Sequence, residues 1–129
     1  MSYTTLTGIM DSVLRDLKNQ RLKTIELRSA NNLISAMNIG VGDMVFLTKE
    51  SSQDLTCGTT GMIAKVNGLQ TTMHRVFQGN EYFYEERETM VTRIQLQAHG
   101  FGRIRSVKDI SIGKPTVVEA EELRYYEAR

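Results

Sequence analysis

The chain has 129 residues, of which 40% are hydrophobic and 24% charged, enough for one domain with a modest core and without any apolar run near the ~18–20 residues of a membrane helix. A formal net charge of +1 excludes arguing for a polyanionic partner from overall charge alone. The lone cysteine, Cys57, excludes an internal disulfide and points to a reducing, cytoplasmic setting.

Asp11, Arg15 and Asp16 interrupt the basic-then-apolar order of a secretory signal. Leu6, Ile9, Met10, Val13, Leu14 and Leu17 recur at helical spacing. A second apolar set follows in Leu22, Ile25, Ala30, Leu33, Ala36 and Met37. Continued at about 100° per residue, it falls on nearly the opposite side from the first. Residues 1–39 are therefore expected to form an N-terminal helical arm. It is either a hairpin broken near Asn19–Lys23 or one long helix with two faces to cover. Its second stripe, marked by Leu22, Ile25, Leu33 and Met37, is the candidate oligomer interface.

Gly40 and Gly42 suit a helix C-cap followed by a turn. Asp43–Lys49 then reads as a strand, Glu50–Thr60 as a polar loop and Gly61–Val66 as a strand. Asn67-Gly68 has the form of a type I′ turn, and Gly79-Asn80 marks a second turn between Leu69–Gln78 and Glu81–Glu86. Thr89–Gln97 alternates cleanly, His99-Gly-Phe-Gly-Arg103 reads as a bend, and Arg103–Lys108 as a last strand. About six short strands over residues 40–114 imply a small antiparallel barrel or strongly bent sheet. Thr116-Val-Val-Glu119 has the pattern of a capping box and Pro115 suits the approach to it, so residues 115–129 are expected to carry a short C-terminal helix. The predicted class is α+β.

Val41-Gly-Asp-Met-Val-Phe-Leu-Thr, a polar loop, then Gly58-Thr-Thr-Gly-Met-Ile-Ala-Lys-Val resembles the opening of SH3-like barrels of the KOW and Tudor kind. There the first strand enters through a Gly-Asp turn, and the glycine matched by Gly61 permits a tight bend. The resemblance covers residues 41–66 and implies a binding module for nucleic acid or a partner protein, without catalysis. The helix-plus-barrel layout also resembles small accessory proteins of bacteriophages.

Arg93, Arg103, Arg105, Lys108 and Lys114 stand against Asp109 alone between residues 93 and 114. With Arg75, and with Tyr82 and Phe101 for stacking, Arg93, Arg103, Arg105 and Lys108 are the candidate nucleic-acid contacts: guanidinium groups bind phosphate and aromatic rings stack on bases. The competing reading pairs these arginines with Glu81, Glu85, Glu86 and Glu88 on a solvated face. Thr56-Cys57-Gly58-Thr59-Thr60-Gly61 lacks the lysine and spacing of a phosphate loop and reads as a connector. His74 and His99 do not form a local metal pair with each other or with Cys57. Glu85, Glu86 and Glu88 read as solvated charge. No catalytic residue, metal or cofactor is expected. The leading expectation is a non-enzymatic nucleic-acid-binding or transcription-associated accessory module, with DNA or RNA as partner. The alternatives are an assembly component that self-associates through the arm and a protein that sequesters a small anionic ligand. No membrane partner is expected.

Overall fold

The computed structural model describes residues 1–20, 22–79, 84–109 and 113–123, and does not describe the side chains of residues 74, 76–78 and 84–88. In chain order the elements are β1 (Ser2–Leu6), α1 (Asp11–Gln20), β2 (Leu22–Leu27), α2 (Ala30–Ala36), β3 (Met44–Leu47), β4 (Thr60–Gly79), β5 (Tyr84–Asp109) and β6 (Val117–Leu123). The strands form one sheet in the order β2-β5-β4-β3-β1-β6, and β6 pairs with β5 as well. Hydrogen bonding thus runs in a circuit through β1, β3, β4, β5 and β6, while β2 flanks β5 outside it.

The helical arm expected over residues 1–39 is not there: the segment supplies two strands and two helices of 10 and 7 residues. Ser2–Leu6 is rich in threonine and carries a tyrosine, residues that suit a pleated surface. Gly8, at φ 64°, then breaks the helical phase before α1 begins. Leu22 and Ile25, three apart, mimic a helical stripe. The real period in β2 is two, with Ile25 and Leu27 buried and Leu22 and Glu26 exposed. The four candidate interface residues are accordingly scattered. Leu22 is 45% exposed on β2, Ile25 lies in the core, Leu33 is half-buried on α2, and Met37 is 76% exposed at the α2 C-cap.

The small antiparallel SH3-like barrel is also corrected. β1 and β3 pair in parallel, with Thr4 opposite Val45 and Leu6 opposite Leu47. Two strands of 20 and 26 residues replace the short ones expected between Gly61 and Lys108. The Asn67-Gly68 signal does not turn the chain. β4 runs through it, with Val66 opposite Leu96 and Gly68 opposite Gln95, so Asn67 is the extra residue of a bulge. His99 plays the same part in β5, between Ala98 and Gly100. A bulge lets a turn-prone residue stay in a continuous ladder. The Gly79-Asn80 turn itself lies outside the described residues, but Gly79 pairs with Tyr84 across it. Where the C-terminal helix was expected, residues 117–123 form β6, which pairs with β1 and β5, and Val118 and Ala120 are buried between them; the rest of that expected helix, 124–129, lies outside the described residues. Strand pairing on both sides outweighs the local capping pattern, and Thr116 is drawn into a different network.

The core lies on both faces of β3, as alternation along a strand requires. Val45 and Leu47 join Leu6, Leu17, Leu27, Ile94 and Leu96 under the helices. Phe46 faces the other way, with Tyr3, Ile63, Ile104 and Val118. Gly61 and Gly102 are opposite each other on β4 and β5. A Cβ on Gly61 would press on the Leu47 carbonyl and lie 2.6 Å from the Phe46 ring, and one on Gly102 would lie 3.2 Å from that ring.

A buried polar network fixes α2 to the sheet. Ser29 caps the helix by accepting from the Asn32 N–H. Asn32 accepts from the Thr7 N–H at 2.9 Å and donates to the Thr7 carbonyl at 2.8 Å. Asn31 donates to the Thr116 hydroxyl, and Ser35 accepts from the Thr116 N–H. Among the described residues no helix is long and apolar enough to cross a membrane.

Candidate functional site

The cationic residues singled out from sequence lie mostly on β5, and their register decides where they go. Arg105 and Lys108 are the extra residues of two bulges against β6. A bulge breaks the alternation and re-aims the side chain. Arg103, directly opposite Glu121, donates to its Oε1 from Nη2 at 2.6 Å and Nε at 3.0 Å, and the bulge lets Arg105 Nη1 reach Oε2 of the same carboxylate at 3.0 Å. Hydrogen bonding from Arg103 is the main cause holding the Glu121 carboxyl below its ordinary range.

Next along the strip is Glu119. It pairs with the Met1 amine, accepts from the Ser2 hydroxyl at 2.9 Å and lies 3.4 Å from Lys108 Nζ. Its pKa is held down at about 2, first by the hydrogen bond from the amine and then by that from Ser2, with Lys108 adding to them. The strip thus interleaves Arg103, Arg105, Lys108 and the Met1 amine with Glu119 and Glu121.

The structure thus brings Arg103, Arg105 and Lys108 together. It places Arg93 apart from them, across from β2, where its Nε donates to Glu26 at 3.2 Å and Arg28 bonds the other Glu26 oxygen at 2.9 Å. Hydrogen bonding, with Arg28 first, lowers the Glu26 carboxyl. Among the described side chains the carboxylates that these cations meet are Glu26, Glu119 and Glu121; those of Glu81, Glu85, Glu86 and Glu88 lie outside them. Arg75 lies farther out on β4, in register with Glu88. Phe101 is half-buried against the core with Lys18 Nζ 5.9 Å from its ring centre. Tyr82 lies outside the described residues.

The more distinctive surface is one that sequence reading missed. β3 leaves β4 at the Met44–Lys65 pair, and β2 leaves β5 at the Leu27–Thr92 pair. Beyond them β4 and β5 continue as a two-stranded ribbon from Thr72–Val91 to Gly79–Tyr84. At about 3.3 Å per residue the ribbon runs for roughly 25 Å, with no third strand among the described residues. Met73 and Met90 are opposite each other on it and are 59% and 37% exposed. Directly opposed residues share a face, so the two thioethers form one apolar patch. Below it the Thr71 and Thr92 hydroxyls bond at 3.0 Å. At the base, the α2–β3 turn is tied to β4 by Gly42 N–H to Val66 carbonyl and Val66 N–H to Asp43 carbonyl bonds. Exposed Val41 stands in that turn. The signal for the ribbon was present as Gly79-Asn80 between two β-prone runs, but its projection past the sheet depends on where β2 and β3 stop.

Cys57 is exposed in the β3–β4 loop, where Gly58 donates to the Ile104 carbonyl at 2.7 Å and Thr56 to the Thr59 hydroxyl at 3.2 Å. Among the described residues no three histidine, cysteine or acidic side chains stand close enough to hold a metal.

A family model described as "Protein of unknown function (DUF473)" matches residues 1–118. An uncharacterized protein of Methanocaldococcus jannaschii is 29% identical over 107 residues, covering 83% of this chain and 67% of its own. The N-terminal domain of a Mycobacterium avium complex Lon protease shares the fold, with a TM-score of 0.53 and 15% identity. That likeness covers 100% of this chain, which spans 58% of the Lon domain chain.

Proposed function

Starting from the fact that the chain belongs to the DUF473 family, we propose that it is a non-enzymatic polypeptide-interaction module of the cytoplasm that works through the β4–β5 ribbon. The observation that carries this reading is the ribbon itself: it extends past every other strand among the described residues and exposes Met73 opposite Met90. Backbone N–H and C=O groups along an uncovered strand edge are a template for another strand. Methionine adapts its shape to varied apolar partners. A reducing compartment suits the single exposed Cys57. The fold likeness to one domain of a protease is compatible with a module of this kind and adds no residue to it.

A nucleic-acid partner ranks second. Of the residues offered for phosphate contact, Arg93, Arg103, Arg105 and Lys108 are held by Glu26, Glu119 and Glu121, so phosphate would have to displace carboxylates already in place. The test is a photo-crosslinking amino acid placed at Met90 in the full chain, with a control at exposed Lys114. Crosslinks to polypeptide at position 90 and not at 114 are expected. A probe at 90 that captures nothing, or salt-sensitive capture of an oligonucleotide at the β5–β6 strip instead, overturns the reading.

A further inference from the structure

We infer that the partner of the ribbon is a second copy of this chain, paired antiparallel through β4 about a twofold axis at Met73; the inference rests on the polypeptide-interaction reading above. The edge of β4 facing away from β5 is covered by β3 only as far as Lys65, and the Gly42 bond closes it at Val66. From Asn67 to Gly79 no strand covers it among the described residues, a length of about 40 Å.

Long edges are ordinarily protected by bulges, prolines or charge. Past Gly68 this one has no register shift against β5. It contains no proline, aspartate or glutamate, and its only charge past Lys65 is Arg75. A two-stranded ribbon is marginal alone in water and gains a third and fourth strand from such a partner.

Charge selects the edge. The β5 side of the ribbon carries Glu85, Glu86 and Glu88 against Arg87 alone, a net negative run that disfavours laying two copies of it side by side. β4 carries no such run. Symmetry then selects the register. The midpoint of Asn67–Gly79 is Met73, one of the two exposed methionines of the ribbon. With the axis there, Met73 meets its own copy, flanked on each side by a Met90. Thr71 stands opposite Arg75 of the second copy, so the arginines do not face each other. The contact is the same patch on both chains, so it closes at two and does not propagate into a fibre.

Light scattering on the full chain across a concentration series tests this. The expected mass is about twice 14.6 kDa, with Met73→Lys weakening association at least about tenfold. Met73 is exposed, and an unchanged circular dichroism spectrum confirms that the variant folds. In a Cys57→Ser background, Met73→Cys is expected to form a disulfide-linked dimer under mild oxidation, because opposed antiparallel residues lie within disulfide reach. Met90→Cys is not expected to do so, since the two copies stand about 14 Å apart, three strand spacings. A monomer at all concentrations overturns the pairing, as does a dimer that ignores Met73→Lys or crosslinks at 90 and not at 73. A monomer whose Met90 photo-probe captures a different polypeptide overturns self-pairing and leaves the interaction reading standing. Loss of both overturns both.

Discussion

Glu119 collects donors from the Met1 amine, the Ser2 hydroxyl and Lys108, and the sign of its effect on stability follows. Its carboxyl titrates near 2 in the folded chain against an ordinary 4.5. The contribution is therefore full above about 4.5 and is lost as pH falls toward 2. Urea midpoints measured from pH 6 down to pH 2 should fall less steeply for Glu119→Gln than for the wild type. Gly61 is tested by Gly61→Ala, whose methyl has no room beside Phe46 and the Leu47 carbonyl. About 3 kcal/mol of destabilisation is expected by urea titration, against about 1 kcal/mol for Gly42→Ala, where only the positive φ opposes the new side chain. A special place for Gly61 was legible, but as the tight bend that the barrel resemblance implied and not as a close approach to Phe46 inside the β4 ladder. That Glu119 would bind the amine was not legible, because nothing local links residues 1 and 119.

The 7-residue helix α2 is too short to be stable by itself. Its anchor is the reciprocal Asn32–Thr7 pair, which satisfies both backbone polar groups of a buried threonine. Asn32→Ala leaves that N–H and C=O without their partners and should cost about 2–4 kcal/mol, read by thermal or chemical denaturation. Ser29→Ala, removing the cap, should cost about 1 kcal/mol. These elements show what periodicity misjudges. Leu22 and Ile25, three apart, fit a helical stripe, but pairing with Gln97 and Ile94 makes the segment a strand and puts the two on opposite faces. Asn67-Gly68 and His99-Gly100 carry real turn chemistry, and the ladder absorbs both as bulges. The strand at Met44–Leu47 and the clean alternation around Ile94 and Leu96 were readable because each is strongly apolar in period two.

At the scale of the molecule, the cationic strip and the ribbon separate in their expected effects. Replacing Arg103 and Arg105 together by alanine breaks exposed ion pairs with Glu121. Stability should change by no more than about 1 kcal/mol, and the mass in solution should stay the same. Hydrogen exchange supplies a complementary reading: amides of residues 73–79 should be slow in the wild type and fast in Met73→Lys, while those of β3 stay slow in both. Nothing in a single sequence announces that Ser2–Leu6 pairs with Val117–Leu123, or that β5 borders three strands. Such pairings link distant residues, and local pattern is silent on them. The helical arm and the SH3-like barrel were wrong for that reason.

The circuit closed by β6 also sets an order of events during synthesis. β1 is made before the other described elements, yet its antiparallel neighbour is made more than 110 residues later, as the Tyr3–Val118 pair requires. At a ribosomal rate of about 5–20 residues per second, roughly ten seconds separate the two. For that interval Thr4–Leu6 has β3 as its only described strand partner, and the face of Phe46 lacks Val118 and Ala120. The nascent chain is then an open, sticky sheet, so a chain ended shortly before Val117 should aggregate more than one carried through β6, as light scattering during expression in vitro would read.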